Sequence, residues 1–377
     1  METNILLIGI GNLGGKILDL LVHMRGIGKI TIAGRNEERL LRRKNLSLFA
    51  ALQLEHYPEI EHIKMDLLDV DHTAETLSRL KPDIIFNAAT LRTWRASTAA
   101  LPKEVAAELS QVQLGPWLPM HLTLMHKLML AIKKTSMETY VVNAAFPDAV
   151  HPVLDRLNLA PTIGIGHVGN IIPALRKSIA YLLRRPVEKV EVLFVAQHYI
   201  THFIPRFGYP DAPCHLRAIV DGSDVTGDLD PRLVYSTLSK RFARVGGAEG
   251  QILTATSAAK ILEAMVNNTR ELAHAPGPNG LPGGYPVKVD AQGGAIWLPE
   301  NLPFEEAIRI NEEGQRADGV DRIDADGAVH FTDESMRIMK RVLGYECKTM
   351  KVAESEGYAE ELRAKLDELT KKHAPSP

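Results

Sequence analysis

The feature that most constrains this chain is a glycine-rich turn close to its N-terminus. Residues 9–14 read G-I-G-N-L-G and follow the apolar run Asn4–Ile8, and apolar residues then recur at helical spacing from Ile17 to Met24. In a strand–turn–helix unit of this kind, the first glycine allows a tight bend and the second lets phosphates approach the backbone. The third glycine lets the helix pack close to the strand. The pattern predicts a site for the pyrophosphate of a dinucleotide at the helix N-terminus.

The end of the second predicted strand bears on which dinucleotide is bound. The strand Lys29–Ala33 is followed closely by Arg35 and Asn36, where a carboxylate would bind the ribose of NAD. An arginine at this point can pair with the 2′-phosphate of NADP and stack on its adenine. The sequence therefore favours NADP, with NAD as the alternative if Glu37 or Glu38 reaches back to the ribose.

Two further strand ends supply candidates for the same site. The fourth predicted strand ends at Phe86–Ala89, where small side chains leave room for a cofactor, and the fifth ends at Asn143. Ligands of open α/β sheets bind at this carboxyl edge. Local turn capping is the alternative role for an asparagine there. The predicted cofactor-binding residues are Gly9, Gly11, Asn12, Leu13, Gly14, Arg35, Asn36, Ala88 and Asn143.

The order of predicted elements defines the fold class. Strands alternate with helices through about residue 148, which predicts an α/β, doubly wound parallel sheet of the Rossmann type. We expect residues 1–148 to form the dinucleotide-binding domain. After that the pattern mixes strands, hairpins and helices, so residues 149–377 are predicted to form an α+β domain for substrate binding and oligomerisation.

Five segments of the second part carry specific expectations. Lys189–Tyr199 is predicted to be a strand, and hairpins are predicted at Leu216–Val225 and Val320–Phe331 around Asp-Gly turns. Ala275–Pro286 is dense in glycine and proline, which predicts a loop that serves as a lid or an oligomer contact. An apolar stripe from Tyr358 to Leu369 predicts a terminal helix.

Composition narrows the range of partners. The 377 residues carry 44 Lys and Arg against 46 Asp and Glu, a net charge of −2, so no nucleic acid partner is expected. Two cysteines give no disulfide framework. No apolar stretch is long enough for a membrane span, and the N-terminus lacks the pattern of a signal peptide. We expect a cytoplasmic homo-oligomer that acts on a small-molecule substrate.

The order of these features resembles that of the lactate/malate dehydrogenase-like superfamily. The resemblance rests on the glycine turn, on the segment 91–95 (L-R-T-W-R), on Asn143, on 164–170 (G-I-G-H-V-G-N) and on a strand ending at His198. It spans about residues 4–275 and implies a dehydrogenase whose histidine exchanges a proton with the substrate. Where the family has an aspartate that orients this histidine, Asn170 is the nearest candidate.

The first 90 or so residues are equally similar to the NADP-binding half of saccharopine-dehydrogenase-like proteins. The turn Ala33–Asn36 and the entry Lys81–Asp83 into the strand ending at Phe86–Ala89 carry this second resemblance. It implies an amino-acid dehydrogenase that acts on a C–N bond. The sequence leaves both resemblances open.

Two histidines are the candidates for proton transfer. His198 and His202 lie four residues apart, so they share a face on either a strand or a helix. A histidine titrates near neutral pH, so it can give a proton to a carbonyl oxygen as hydride arrives. The alternatives are a metal-binding pair, with His167 or His215 as a third ligand, and a purely structural role. We predict the acid/base role without a metal.

Arg92 and Arg95 are the candidates for substrate binding, because an arginine fork binds a carboxylate through two hydrogen bonds. A solvated loop position is the alternative. Asn170 lies with His167 between glycines before a helix, where it serves an anion-binding turn or a helix cap. The predicted catalytic residues are His198, His202, Arg92, Arg95 and Asn170.

Together these features predict an NAD(P)-dependent dehydrogenase or reductase. The leading hypothesis is hydride transfer between NADP(H) and a carbonyl or hydroxyl group of a small polar or carboxylated substrate. A saccharopine- or opine-like amino-acid dehydrogenase is the second hypothesis. A non-catalytic NADP-binding sensor is the third, and a cleft without a titratable group would favour it.

Overall fold

A parallel sheet of six strands is the centre of the part of the chain that the computed structural model describes, residues 2–93 and 101–373. Its strands and helices are β1 (Thr3–Ile8), α1 (Asn12–Leu21), β2 (Ile27–Gly34), α2 (Glu37–Gln53), β3 (Glu59–Lys64), α3 (Val70–Leu80), β4 (Ile84–Asn87), α4 (Lys103–Ser110), α5 (Leu118–Thr135), β5 (Tyr140–Asn143), α6 (Pro147–Asp155) and β6 (Ile163–Gly164). The strands lie in the order β3-β2-β1-β4-β5-β6 and all pairs are parallel. The predicted doubly wound Rossmann sheet is confirmed.

Strand β1 shows why this sheet is buried on both faces. Ile5, Leu6, Leu7 and Ile8 are each at most 2 % exposed. Because side chains alternate along a strand, Leu6 and Ile8 enter the core on one face, while Ile5 and Leu7 enter the core on the other. Burying each of these side chains contributes about 1.5–3 kcal/mol to folding. The continuous apolar run in the sequence reflects this two-sided burial.

The second part of the chain adds antiparallel sheets and helices. In chain order its elements are α7 (Val168–Leu183), β7 (Val190–Val195), α8 (His198–Phe207), β8 (His215–Val220), β9 (Ser223–Asp224), α9 (Pro231–Lys240), α10 (Gln251–Asn267), β10 (Glu271–Pro276), β11 (Gly284–Asp290), β12 (Gly293–Ile296), α11 (Phe304–Ala317), β13 (Val320–Ile323), β14 (Val329–Phe331), α12 (Asp333–Leu343), β15 (Thr349–Met350) and α13 (Ser355–Lys372). The antiparallel sheets of the described residues are β7–β9, β10–β12 and β13–β15. The predicted hairpins are confirmed as β8–β9 and β13–β14. Within the same residues, no helix is both long and apolar enough to cross a bilayer.

Helices from the second part cover both faces of the parallel sheet. α10 packs against α1, and α13 packs against α5. The predicted stripe on the terminal helix is confirmed, since Leu362 and Leu366 are fully buried. β6 pairs with β5, so the sheet continues beyond residue 148. The division of the chain into domains at that residue stays a prediction.

The segment Ala275–Pro286 differs from its prediction as a loop. Its first two residues end β10 and its last three begin β11, and the two strands are antiparallel partners. Gly277 (φ +62°) and Gly283 (φ +66°) have left-handed backbone conformations that let the chain reverse between these strands. Ala275 and Tyr285 are fully buried, so the two ends of the segment belong to the core.

The predicted strand Lys189–Tyr199 is too long at its C-terminal end. β7 stops at Val195, and α8 begins at His198. The reason is a helix cap, because the Gln197 side-chain oxygen accepts a hydrogen bond from the Tyr199 backbone N–H at 2.6 Å. His198 therefore occupies the first turn of a helix, where a side chain faces the ligand-binding edge of the sheet.

Candidate active site

The glycine turn between β1 and α1 has a distinct constraint at each glycine. Gly9 has φ +91°, and a Cβ atom there would lie 2.5 Å from the Ala89 backbone nitrogen. At Gly14 a Cβ atom would lie 2.2 Å from the Gly9 carbonyl oxygen, whereas at Gly11 it would meet nothing within 4 Å. The space at Gly11 is open beside the N-terminus of α1. These are the features required for an anionic group to approach the backbone N–H groups.

A cavity of about 590 Å³ extends from this turn along the carboxyl edge of the sheet. The glycine turn and Ala88 form one end. The ionisable residues on its wall are His121, His167, His198, His202, Arg206 and Arg244. Among the described residues that line it, none is Asp or Glu. The cavity is therefore suited to a ligand that carries negative charge.

A second glycine-rich segment lies across the cavity from the first. Gly246, Gly247 and Gly250 precede α10 and line the cavity wall. The Asn12 side chain donates hydrogen bonds to the Ala248 carbonyl oxygen at 2.9 Å and to Gln251 Oε1 at 2.6 Å. These bonds hold the segment 246–251 against the glycine turn, so a ligand bound at the turn would contact both.

His198 is held by an aspartate from a distant part of the chain. Its Nδ1 atom lies 2.8 Å from Oδ2 of Asp318, which follows α11 and is fully buried. The same carboxylate accepts hydrogen bonds from the Gln197 side chain at 3.1 Å and from the Leu114 backbone N–H at 3.2 Å. Because Nδ1 is engaged, the Nε2 edge of the ring is the one left for a ligand in the cavity.

A second histidine–aspartate pair lies beside the first. His167 Nδ1 pairs with Oδ2 of Asp148, which is fully buried in the first turn of α6. The other oxygen of Asp148 accepts the backbone N–H of His198 at 3.0 Å. The two imidazole rings are 4.5 Å apart between centroids. Asp148 therefore fixes His167 through its ring and His198 through its backbone.

Burial controls the charge of these groups. Burial, together with the nearby charge of His167, lowers the pKa of His198 well below 6.5, and burial also lowers the pKa of His202. Burial lowers the pKa of His121 to about 4. Burial raises the pKa of Asp318 to about 7, although its hydrogen bonds from Gln197 and Leu114 oppose the rise. His121, His198 and His202 are therefore neutral at neutral pH, and the His198–Asp318 pair can take up a proton near pH 7.

His202 lies one helical turn beyond His198 on α8, with the two ring centroids 4.3 Å apart. The sequence predicted a shared face, and the helix provides it. Within residues 2–93 and 101–373, no group of three or more His, Cys, Asp or Glu side chains is arranged to hold a metal ion. The histidines instead form a neutral, closely packed cluster on the cavity wall.

The structure places most of the predicted cofactor-binding residues at or beside the cavity. Gly11, Asn12, Leu13, Gly14 and Ala88 line the cavity, and Gly9 shapes the turn behind them. Arg35 is exposed where β2 leads into α2.

Asn36 and Asn143 have structural roles. The Asn36 side chain caps α2 by accepting the Arg39 backbone N–H at 2.8 Å. Asn143 is fully buried, and its amide bonds to Asn87 at 3.2 Å and to His151 at 3.1 Å. Each side chain bonds to neighbouring protein groups and neither lines the cavity, so a contact of either with the cofactor stays a prediction.

Only one of the two predicted substrate-binding arginines, Arg92, lies in the described part of the chain. Arg92 forms a salt bridge with Asp367 of the terminal helix and is not among the residues that line the cavity. Arg95 lies outside the described residues. The arginines on the cavity wall are Arg206, on α8, and Arg244.

Asn170 does not orient His198. Its side-chain amide lies 3.0 Å from Thr254 Oγ1 of α10, and Asp318 supplies the orienting carboxylate. The carboxylate beside His198 therefore comes from a different element from the one in which the sequence suggested Asn170. Asn170 lines the cavity, but its bond to Thr254 connects α7 with α10.

Several residues of this site were not identified from the sequence. Asp148 lies at the start of α6, the helix that follows β5, and a polar residue at that edge is a usable signal. The glycine cluster at 246–250 before a helix is a second usable signal. No local pattern marks Asp318, because it reaches His198 only through the tertiary fold. Arg206 continues the four-residue spacing of His198 and His202, a signal that was present in the sequence.

Comparisons with known proteins identify the fold. No protein-family model matches the chain, and no curated protein matches its sequence. Among solved structures, it is similar to lactate dehydrogenase from Eimeria maxima with NADH and oxamate, at 14 % identity and a TM-score of 0.56, over 83 % of this chain and 91 % of the other. The predicted similarity to this superfamily is confirmed at the level of the fold.

Two malate dehydrogenases give the same result. The enzyme from Picrophilus torridus has 18 % identity and a TM-score of 0.54, over 84 % of this chain and 98 % of the other. The enzyme from Plasmodium falciparum, solved in complex with NADH, has 11 % identity and a TM-score of 0.51, over 97 % and 99 %. At such low identity the similarity concerns architecture, and chemistry must be argued from the cavity itself.

Proposed function

We propose that this protein is an NAD(P)-dependent oxidoreductase that transfers hydride between NADP(H) and a carbonyl or hydroxyl carbon of a small polar or carboxylated substrate. The observation that carries the proposal is that one cavity joins the glycine turn at α1 to the His198–Asp318 pair. The open space at Gly11 and the small side chain of Ala88 fit a dinucleotide at that end. The similar lactate dehydrogenase was solved with NADH and oxamate, which supports the same pairing of cofactor and small ligand.

The dinucleotide, when bound, supplies or accepts the hydride. The contribution of the chain is the proton. In the reducing direction, Nε2 of His198 donates a proton to the substrate oxygen, and in the oxidising direction it removes that proton. Asp318 holds Nδ1, which fixes the ring and stabilises its protonated form.

Asp148 acts in this proposal as a positioning residue. It accepts the backbone N–H of His198 and pairs with His167. His167 lies between this carboxylate and the cavity, with φ +41°, in a conformation that few non-glycine residues adopt. The backbone strain at His167 is consistent with a functional site.

The preference for NADP over NAD rests on charge. Arg35 is exposed directly after β2, and Glu38, one of the two acids that could bind the ribose, forms a salt bridge with Arg42. A guanidinium that pairs with no residue of the ranges 2–93 and 101–373 suits a 2′-phosphate at this strand end better than a hydroxyl. The similar dehydrogenases were solved with NADH, so NAD remains the alternative cofactor.

We also propose that residues 1–148 bind the dinucleotide and that residues 149–377 supply the substrate side, since His198 and Asp318 belong to the second part. The chain is further proposed to form a homo-oligomer. Its α2 helix exposes large apolar side chains, with Leu46 and Phe49 each 59 % exposed. Exposed apolar surface of this kind is typical of contacts between subunits.

The test is oxidation of NADPH and NADH against a panel of oxo acids, with and without ammonia or amino acids. Turnover without an amine supports C–O chemistry, and dependence on an amine supports an amino-acid dehydrogenase. Two His–Asp pairs at the cavity favour an enzyme over an NADP-binding sensor. Binding of NADPH without turnover of any oxo acid or amine pair would favour the sensor, and failure to bind either cofactor would contradict the proposal.

A further inference from the structure

One face of α8 presents a line of three side chains to the cavity. His198, His202 and Arg206 follow one another at intervals of four residues, and all three line the cavity wall. Residues four apart on a helix lie on the same face, and each contributes about 1.5 Å of rise. Arg206 therefore lies about 12 Å along the helix axis from His198, with His202 midway between them.

The guanidinium of Arg206 is not held by any residue in the described part of the chain. Among the described residues, Arg206 makes no hydrogen bond or salt bridge, whereas Arg92 and Arg217 are paired with carboxylates. The described part of the cavity wall offers it no Asp or Glu. The charge of Arg206 reaches both histidines on its face, since it lowers the pKa of each. A cation placed in this way is available to an anionic ligand.

We propose that Arg206 binds a carboxylate of the substrate that lies several bonds from the carbonyl carbon reduced at His198. This inference rests on the proposed function, because His198 defines where the reacting oxygen lies. Side chains of a helix lean toward its N-terminus, and because the arginine side chain is longer than that of histidine, the Arg206 guanidinium can close roughly half of the axial separation from His198. That gap fits a chain of about four to six bonds between carbonyl and carboxylate, with His202 beside its middle. A 2-oxo acid, whose carboxylate is bonded to the carbonyl carbon, is too short to reach both groups.

The experiment uses pyruvate, 4-oxopentanoate, 5-oxohexanoate and 7-oxooctanoate as probes, together with the uncharged amide of 5-oxohexanoate. Their binding to the full chain is measured by calorimetry, with and without NADP⁺, and their turnover is measured with NADPH. In the wild-type protein we expect 5-oxohexanoate or 7-oxooctanoate to bind at least about tenfold more tightly than pyruvate. Arg206→Gln should weaken binding of these longer carboxylates about 10–100-fold and leave the amide unchanged.

Two control variants separate the loss of the Arg206 charge from a general effect on folding. Arg206→Lys retains the charge and should recover part of the lost affinity. Arg363→Gln removes an exposed arginine of α13, far from the described cavity wall, and should behave like the wild type. Equal losses for the carboxylate and the amide in Arg206→Gln would overturn the inference. So would wild-type protein that binds pyruvate as tightly as the longer probes, or that binds none of them.

The binding measurement tests the role of Arg206, and the turnover measurement tests the proposed oxidoreductase activity, so the two can fail separately. If the probes bind through Arg206 in calorimetry but none is reduced, the anion site stands and the proposed oxidoreductase activity fails. If a probe is reduced but Arg206→Gln does not distinguish the carboxylate from the amide, the oxidoreductase activity stands and the role of Arg206 is wrong.

Discussion

The Nδ1 atom of His198 lies 2.8 Å from a carboxylate oxygen of Asp318, a residue 120 positions later in the chain. The aspartate is fully buried, and hydrogen bonds from Gln197 and Leu114 fix its orientation. A histidine held in this way presents its other nitrogen in a defined direction, as an acid or base requires. The pair lies on the same cavity as the dinucleotide-type glycine turn.

The first prediction concerns Asp318→Asn. Burial raises the pKa of Asp318 to about 7, so the pair holds a proton below that pH and releases it above. Carbonyl reduction consumes a proton, so the wild-type rate should fall as pH rises through about 7. The asparagine amide cannot pass a proton to Nδ1, so Nε2 of His198 could give up its proton only by leaving an unfavourable imidazolate. Turnover should fall about 10³–10⁴-fold, and the limb near neutrality should disappear from the pH–rate profile.

Unfolding at two pH values provides a readout of Asp318 that does not depend on activity. The pKa of this carboxyl is higher in the folded state than the ordinary value of 3.8, so the folded state binds more protons between those limits. Its contribution to stability is therefore lost as pH rises toward about 7. The free energy of unfolding of Asp318→Asn minus that of the wild type should therefore be larger at about pH 8 than at about pH 5. A difference that is independent of pH would contradict the assigned pKa.

Much of the N-terminal half could be predicted from the sequence because its signals are local. The apolar run before Gly9, the glycine spacing and the helical spacing after it each constrain a few neighbouring residues. The alternation of strands and helices then leaves few topologies. The same logic located His198 and His202 on one face, although it placed His198 at the end of a strand, because the capping role of Gln197 depends on its side-chain geometry.

The polar contacts of the site could not be predicted in the same way. Asp318 and His198 meet only after α11 packs beside α8, and no pattern in either segment points to the other. Arg92 illustrates the same difficulty. An arginine suits a substrate carboxylate, but in the structure Arg92 pairs with a carboxylate of the protein, Asp367 of the terminal helix. Asn143 likewise lies at the predicted carboxyl edge of the sheet, but its side chain takes part in a buried network of hydrogen bonds with protein groups.

The second prediction contrasts two glycines of the turn. Gly11→Ala adds a Cβ atom where nothing lies within 4 Å, so the protein should fold normally but bind the dinucleotide at least about tenfold more weakly, because the methyl group occupies the approach of the phosphates. Gly14→Ala adds a Cβ atom 2.2 Å from a carbonyl oxygen, so it should lose about 1–3 kcal/mol of stability. Denaturant unfolding and cofactor fluorescence measure both. Equal behaviour of the two variants would refute the assignment of the phosphate site.

The third prediction concerns the choice of cofactor at Arg35. If its guanidinium pairs with a 2′-phosphate, wild-type protein should bind NADPH more tightly than NADH. Arg35→Asp should reverse or flatten that preference, because a carboxylate repels the phosphate and can bind the ribose hydroxyls. Fluorescence titration of both cofactors measures the ratio. An unchanged ratio in the variant would show that Arg35 takes no part.

The fourth prediction concerns acid stability at His121. Burial lowers its pKa to about 4, and neither ring nitrogen has a hydrogen-bond partner among the described residues. The unfolded state therefore binds the proton more readily, and stability present above about pH 6.5 is lost as pH falls toward about 4. His121→Phe should be more stable than wild type by about 1–3 kcal/mol near pH 4.5. Its stability advantage should be much smaller near pH 8, and equal advantages at both pH values would exclude titration of His121 as the cause.

The central claim is that His198 exchanges a proton with the substrate on a cavity that binds a dinucleotide. The most direct test is His198→Ala, measured for cofactor affinity and for turnover in the same preparation. The account predicts a cofactor dissociation constant within about twofold of wild type and turnover reduced by about 10²–10⁴. A folded variant with a lower melting temperature but near-normal turnover would contradict it, and would leave His167, with its own buried aspartate, as the candidate acid and base.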